Sequence, residues 1–412
     1  MRDIILISVT GEDKPGLTSS ITGILARYNV TVLDVGQAVI HDALSLGILA
    51  GMPAEAESSP ILKDILFQAH ELGVRANFTP VTPDDYVNWT LQQGKPRYIL
   101  TLLSRLISAE QMSSVATIVA EAGLNIDRIA RLSGRPPLDE SERPSRACVE
   151  FTLSGSPRDT AAMRARLLEL AGEREFDAAF QKDTAFRRHR RVVAFDMDST
   201  LIDAEVIDEM AKEAGVGEEV VAITESAMRG EIDFGESLRR RVALLEGMEE
   251  EKLAAIAGRI KLTDGAESLV GALKKLGYKT AILSGGFDYF GERLREKLGV
   301  DYVYTNRLEI KEGRLTGKTI GGIVDGARKA EALIEIAEKE GVSAEQTIAV
   351  GDGANDLPML AAAGLGIAFR AKPLVKRSAE HSLSTIGLDG ILYLMGFRDR
   401  DADALGVNNA NR

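Results

Sequence analysis

Apolar residues recur along the first part of this chain with two periods, about 2 and about 3.6, and the changes of period predict its elements. Residues 3–9 predict a strand, and Gly11-Glu-Asp13-Lys-Pro15-Gly16 a turn. Leu17, Ile21, Ile24 and Leu25 then stand at helical spacing up to Tyr28, with Asn29 as the stop. Residues 30–40 and 43–52 predict two strands joined at His41-Asp42. Residues 60–72 predict a helix capped by Gly73, and residues 74–81 a last strand. The order is β-α-β-β-α-β.

That order is the ferredoxin-like unit, and the pattern repeats it. Residues 98–103 predict a strand, 109–122 a helix ended by Gly123, 124–132 and 146–153 two strands, 157–171 a helix and 175–181 a weaker strand. The two units are assigned to residues 1–83 and 97–182. Residues 82–96 hold the only tryptophan, Trp89, and read as a linker between them. Residues 133–145 are rich in proline and charge and predict an exposed loop.

From residue 190 to about residue 397, strands alternate with helices, which predicts a parallel sheet. Val192 to Phe195 is a short, wholly apolar run suited to a buried strand, and it ends in Asp196-Met-Asp198-Ser-Thr200. Residues 204–214 and 217–258 predict helices with no strand between them, a helical cap over about residues 203–262. Residues 279–283 predict a strand ending in Ser284-Gly285-Gly286, and 302–308 and 319–323 smaller strands. A helix over 330–340 precedes a strand over 347–350 that ends in Gly351-Asp352-Gly-Ala-Asn355-Asp356. The polar tail after Phe397 is expected to fray. The fold class is α/β: a Rossmann-like core with a helical cap, preceded by two ferredoxin-like βαββαβ units.

Composition narrows the function classes. A chain of 412 residues accommodates several domains, at about 100–200 residues each. With 45% hydrophobic and 27% charged residues it reads as soluble and globular. The net charge of −12 argues against general nucleic-acid binding, which calls for a basic surface. The basic run Thr184 to Arg191 is short in so acidic a chain and is expected to be a solvated linker. The single cysteine, Cys148, excludes an internal disulfide and fits a reducing cytoplasm; its strand-like surroundings make it a small buried hydrophobe. The first residues form a strand pattern instead of a signal segment, and no apolar run reaches the roughly 20 residues of a membrane helix.

Candidate chemistry lies where the predicted strands end. Open α/β sheets bind ligands at the carboxyl ends of their strands. If the first strand ran on to Asp198, alternation would put Asp196 and Asp198 on one face. One carboxylate can attack a phosphate ester and the other can act as general acid and base. Ser284, Gly285 and Gly286 offer a hydroxyl and unhindered N–H groups to phosphate oxygens. Lys329, at a helix start, offers a point charge. Asp352 and its neighbours offer oxygen ligands to a hard cation. Taken singly, each of these has a bland alternative: a capping pair, a flexible turn, a surface lysine, a tight turn. Their joint occurrence in this order outweighs those alternatives.

Two resemblances follow from these residues. The tandem units, with Asp13-Lys-Pro15-Gly16-Leu17 after the first strand, resemble ACT domains, small regulatory modules that bind amino acids. Asp13, Pro15 and Gly16 are then the regulatory candidates. The second unit departs from the motif, since Ser104-Arg-Leu-Ile-Ser-Ala has no Pro-Gly, and an interface role is expected there. Residues from about 190 to 395 resemble the haloacid dehalogenase superfamily. Asp203-Ala-Glu205, Asp233-Phe234 to Arg241, Leu283 to Phe287 and Val350 to Asp356 narrow the resemblance to the phosphoserine phosphatase family. It implies Asp196 as nucleophile, Asp198 as general acid/base, and Mg2+ on Asp196, the main-chain carbonyl of Asp198 and Asp352. It implies phosphate held by Ser284, Gly285 and Lys329, the substrate ammonium by Glu205 and its carboxylate by Arg241. Asn355 would line the site, Thr200 and Asp356 would support it, and Phe234 would help the cap exclude water. The expected substrate is phosphoserine, the expected effector an amino acid such as serine, and the expected assembly a cytoplasmic homodimer. The alternatives are a phosphatase of another small phosphomonoester or a phosphoprotein, and a catalytically inactive amino-acid sensor.

Overall fold

The computed structural model describes residues 3–53, 58–136, 139 and 146–405. They fall into two compact units, Met1–Lys95 and Pro96–Arg412.

In the first unit, β1 (Ile4–Glu12), β2 (Thr31–Ile40), β3 (Ala43–Gly51) and β4 (Arg75–Val81) form an antiparallel sheet of order β2-β3-β1-β4. Alternation puts Ile5, Ile7 and Val9 on one face with Leu44, Leu46 and Ile48. That face is buried under Leu17, Ile21, Ile24 and Leu25 of the helix Leu17–Arg27 and Ile61 and Ile65 of the helix Ser58–Leu72. Gly16 enters the first helix with φ +88°, a conformation that glycine adopts without strain. The stretch read as a linker contains a helix, Pro83–Leu91. Thr82 caps it by accepting from Asp85 N at 3.1 Å, and a proline and two acids open it, all helix-start signals. It buries no residue, so no apolar stripe announced it.

The second unit begins with the other βαββαβ element: β5 (Arg97–Ser104), the helix Ala109–Glu121, β6 (Asn125–Arg131), β7 (Ala147–Ser154), the helix Thr160–Glu173 and β8 (Asp177–Lys182), with sheet order β6-β7-β5-β8. One face carries its own core around Leu100, Val119, Phe151 and Leu167. The other contributes Leu103, Cys148 and Ala179 to a core shared with Leu392 and Tyr393 of the α/β domain. Cys148 is buried, as expected of a small hydrophobe, and burial raises its thiol pKa well above the usual value. Within the loop expected over 133–145, residues 137, 138 and 140–145 lie outside the described residues. Its first residue, Ser133, is buried and accepts from Cys148 N.

The basic run is solvated only in part: Arg188 and Arg191 are exposed, but Arg187 and Arg190 are not. Arg187 is 1% exposed and pairs with Glu150 at 2.5 Å. Arg190 is also buried, bonding Arg187 O and Gln181 Oε1 at 3.2 Å each, and burial followed by the Arg187 charge lowers its pKa to about 10. These guanidiniums fill the seam between the βαββαβ element and the α/β domain, where each finds oxygen acceptors that make burial tolerable. Asp177 closes the same seam by accepting from Ser384 N and Thr385 N at 2.9 and 2.7 Å.

The α/β domain is built on β9 (Val192–Phe195), β10 (Lys279–Phe287), β11 (Tyr302–Lys311), β12 (Arg314–Ile320), β13 (Thr347–Gly351), β14 (Leu365–Phe369) and β15 (His381–Leu383). They form one seven-stranded sheet of order β12-β11-β10-β9-β13-β14-β15, parallel except at β11/β12. Val193 and Phe195 face one core, Val192 and Ala194 the other. Covered on both faces, β9 has no polar position, which is why it reads as an unbroken apolar run. The strand expected over 319–323 instead spans Arg314–Ile320, pairing back on β11. The tail is helical over Asp399–Ala404 with Ala402 buried, so it does not fray there; residues 406–412 lie outside the described residues. Among the described residues no helix is long and apolar enough to cross a membrane.

Between β9 and β10 the chain builds the helices Val206–Ala214, Gly217–Met228, Phe234–Ala243 and Glu250–Arg259. The strands leading out and back meet in one antiparallel bridge, Ile202 to Leu262, which ties the base of this helical cap.

Candidate active site

The register of the sheet assembles the site. Phe195 is paired with Ile282 on one side and Val350 on the other. Asp196, Ser284 and Asp352 therefore leave the sheet together, where the strand order switches direction around β9. Asp196 N donates to Val350 O at 2.8 Å, the last tie before the chain turns away. The strand ends at Phe195 and does not run to Asp198, so alternation is not what brings the two carboxylates together. A tight turn over Met197–Leu201 does so. Ser199 takes φ +52° there, a strained backbone of the kind found at functional sites. Its hydroxyl donates to Glu205 Oε1 at 2.7 Å, and its N–H to Ala204 O at 3.2 Å.

Lys329 stands at the centre. Asp325 caps the helix Gly326–Lys339 by accepting from Arg328 N at 2.9 Å, which puts Lys329 in the first turn, pointing inward and wholly buried. Its Nζ is 2.8 Å from Asp196 Oδ2 and 2.7 Å from Asp356 Oδ1. Burial opposes the ammonium, but the two carboxylates outweigh it and raise its pKa. The other oxygen of Asp356 accepts from Gly353 N at 2.9 Å, so this side chain is fully engaged as a brace. Burial and the Asp196 charge raise its pKa against the pull of Lys329.

Among the described residues, Asp196, Asp352 and Asp356 each offer a carboxylate oxygen within 4.8 Å of the others. Thr200 Oγ1 donates to Asp352 Oδ1 at 3.1 Å and orients it. Burial, then the charges of Asp196 and Glu205, push the Asp352 pKa up to about 7. Such a half-buried carboxylate, crowded by like charges, is relieved by a cation. The donor set is all oxygen and suits a hard divalent ion.

Asp198 lies beside this cluster. Burial, then Glu205 and Asp196, raise its pKa well above the carboxylate range, while Val206 N, donating to Oδ1 at 3.3 Å, opposes the shift. A buried carboxyl of raised pKa beside a second carboxylate is the pattern of a general acid paired with a nucleophile.

Opposite them, Gly286 N donates to Ser284 Oγ at 3.0 Å, which leaves the Ser284 proton free for an anion. A Cβ on Gly286 would lie 2.4 Å from Met197 Cε and 2.9 Å from Asp198, and one on Gly285 would lie 2.7 Å from Phe234 Cζ. Only glycines allow this approach. Phe234, the first residue of its cap helix, therefore rests on the Ser284–Gly286 loop, and the cap is down on the core at that point.

Glu205 is the N-cap residue of Val206–Ala214, and burial followed by the Asp196 charge raises its pKa against the Ser199 hydrogen bond. Arg241 is half-buried on Phe234–Ala243; burial lowers its pKa while Asp208, Glu205 and Asp198 pull it up. Glu205 and Arg241 thus place one negative and one positive group over the carboxylate cluster. Asn355 is half-buried in the turn Ala354–Asp356 at the rim. Asp13, Pro15 and Gly16 lie in the other compact unit, exposed in the turn between β1 and its first helix, where Asp13 N donates to Asp42 O at 2.7 Å.

Sequence reasoning missed Asp208, which faces Arg241, the orienting hydroxyl of Ser199, and Asn306, which bonds both Gly285 O and Val324 N. Ser199 could have been found from its place inside the aspartate motif. Asp208 and Asn306 carry no local signal.

Sequence and structure comparisons agree with this geometry. The ACT domain profile matches residues 3–79, and the haloacid dehalogenase-like hydrolase profile residues 190–364. A phosphoserine phosphatase of Mycobacterium tuberculosis is 40% identical, over 97% of this chain and 95% of its own. One from Streptomyces coelicolor is 38% identical, over 97% of this chain and 94% of its own. The crystal structure of a haloacid dehalogenase family hydrolase from Salmonella enterica serovar Typhi is 32% identical with a TM-score of 0.62, over 72% of this chain and 98% of that one.

Proposed function

This chain belongs to the phosphoserine phosphatase family of the haloacid dehalogenase-like hydrolases, and from that premise we propose that it hydrolyses O-phospho-L-serine through an aspartyl-phosphate on Asp196. The observation that carries the reading is the buried Lys329–Asp196 contact at 2.8 Å, beside an Asp198 whose pKa burial raises well above its ordinary value.

The residues divide the work as follows. Asp196 attacks phosphorus, in line with the departing serine oxygen. Asp198 gives its proton to that oxygen as the P–O bond breaks. It then takes a proton from the water that attacks the aspartyl-phosphate, which returns Asp196 and releases phosphate. Ser284 Oγ, Gly285 N and Lys329 Nζ hold the equatorial oxygens, where charge builds in the transition state. Asp196, the main-chain carbonyl of Asp198 and Asp352 would hold a Mg2+ ion, which would supply positive charge that eases the approach of an anionic ester to an anionic nucleophile. Thr200 orients Asp352, and Asp356 braces Lys329.

Phosphoserine carries an ammonium and a carboxylate besides its phosphate. Glu205 receives the first and Arg241, with its planar fork, the second; Asn355 lines the rim. Both charged groups sit on cap elements, so the correct substrate holds the cap down, and Phe234 seals the phosphate loop from water. Hydrolysis then yields L-serine and phosphate, the last step of serine biosynthesis.

In this reading an amino-acid effector such as serine regulates the enzyme from the Asp13 to Gly16 turn, which the ACT domain match over residues 3–79 supports. A homodimer in the cytoplasm completes the reading. Serine titration during turnover tests the regulatory part, and an unchanged rate and oligomeric state would sink it. For the substrate, kcat/KM on O-phospho-L-serine is compared with a panel of small phosphomonoesters and a phosphopeptide. A strong preference for phosphoserine supports the reading. Equal use of esters that lack an amino acid would return Glu205 and Arg241 to the role of ordinary surface charges.

A further inference from the structure

We infer that Asn306 is a positioning residue for the phosphate-holding groups, its single carboxamide setting both the Ser284–Gly286 loop and the segment that feeds Lys329 into the site. Asn306 is 1% exposed and both ends of its amide are used. Nδ2 donates to Gly285 O at 2.8 Å, and Oδ1 accepts from Val324 N at 2.9 Å. The neighbours fix the orientation of the amide: a carbonyl needs a donor and a backbone N–H needs an acceptor, so no flipped rotamer satisfies both.

The need for this side chain comes from a fault in the ladder. β10 and β11 pair in register up to Leu283 and Tyr304, then resume at Phe287 and Asn306. Ser284, Gly285 and Gly286 thus stand against Thr305 alone, and the bulge removes them from regular pairing. The peptide joining Gly285 to Gly286 is held at both ends by side chains. Its carbonyl meets Asn306, and its N–H meets Ser284 Oγ at 3.0 Å. Asn306 therefore fixes the plane of a peptide that in turn aims the Ser284 hydroxyl.

The acceptor end of the amide reaches a different part of the site. Val324 precedes Asp325, whose carbonyl accepts from Lys329 N at 2.9 Å and whose side chain caps the helix. A Cβ on the next residue, Gly326, would lie 2.5 Å from the Asn355 carbonyl, so this segment is wedged against the Gly351–Asp356 loop. One buried amide thus ties together two groups of phosphate ligands far apart in the chain. The inference rests on the reading of Ser284, Gly285 and Lys329 as those ligands.

The test uses the full-length protein with Asn306→Asp, which keeps the acceptor for Val324 N and loses the donor to Gly285 O. Asn306→Ser, whose shorter side chain has one polar atom and cannot span both Gly285 O and Val324 N, is the second variant should a buried carboxylate prevent folding. Inorganic phosphate is the probe, as a competitive inhibitor, beside kcat and KM for phosphoserine and for p-nitrophenyl phosphate. Removing one donor from such a site weakens transition-state binding by about 100-fold or more, and an indirect aim is expected to cost about tenfold. The phosphate inhibition constant then rises about tenfold, and kcat/KM falls by the same factor on both esters, since only their shared phosphate is affected. A folded variant with unchanged phosphate inhibition overturns the inference. So does a loss seen with phosphoserine alone, or a lower melting temperature with kcat and phosphate inhibition intact. A wild type that hydrolyses the aryl ester and ignores phosphoserine overturns the substrate reading instead, and the phosphate comparison between wild type and variant still decides the role of Asn306.

Discussion

Lys329 Nζ stands 2.8 Å from Asp196 Oδ2, and both side chains are buried. The ammonium gives the carboxylate a positive partner, and an incoming phosphate shares the same charge. Lys329→Met removes both effects. We expect kcat/KM to fall by about 100- to 1,000-fold, the range for losing one charge-stabilising group. The change also leaves Asp196 and Asp356 without their cation, so urea unfolding should show a loss of about 3 kcal/mol. Activity within a few-fold of wild type would contradict this account of Lys329.

Asp198 is assigned to proton transfer because burial raises its pKa well above the ordinary value next to Asp196. Asp198→Asn keeps the shape and loses the proton. A general acid contributes about 100- to 10,000-fold, so kcat on phosphoserine should fall within that range. Inhibition by inorganic phosphate, which needs no proton transfer, should change little. Steady-state kinetics with both readouts separates chemistry from binding.

Arg241 is assigned to the substrate carboxylate. Arg241→Ala should lower kcat/KM for phosphoserine by about 100-fold, since the substrate then buries an unpaired charge. Hydrolysis of p-nitrophenyl phosphate, which has no carboxylate, should change by less than about threefold. Equal losses on both would assign Arg241 to closing the cap.

The sheet edge predicts a pH dependence of stability. His381 is buried on β15, and burial, then the charges of Arg164 and Arg190, lower its pKa from 6.5 to about 3. The folded state keeps it neutral while the unfolded chain takes up a proton below its ordinary pKa. Its contribution is therefore complete above about pH 6.5 and is lost as pH falls towards about 3. By about pH 4 the loss should reach about 3 kcal/mol, and His381→Leu should flatten that part of the curve. Equilibrium unfolding of both proteins across this window checks the slope.

The chemistry was legible where it is contiguous. Val192 to Asp198 and Val350 to Asp356 each state a strand, its end and its carboxylates within a few residues, and the order of the motifs supplied the rest. Four features were not legible. Asn306 acts through the register between β10 and β11, which no local pattern encodes. Arg187 and Arg190 read as solvated because charge runs usually are, and only the seam with Glu150 and Gln181 makes their burial possible. The helix Pro83–Leu91 buries nothing, so its capping residues were the only signal of it. Asp196 and Asp198 were expected to share a face through a continuing strand, yet the strand stops at Phe195 and the turn that begins at Met197 brings them together.

The central claim is that Asp196 takes phosphate from phosphoserine. Phosphate release from O-phospho-L-serine, measured with and without Mg2+ for wild type and Asp196→Asn, tests it most directly. The account predicts Mg2+-dependent release by the wild type and none above background by the variant. Release by Asp196→Asn at the wild-type rate, or no release by the wild type with Mg2+ present, would contradict it.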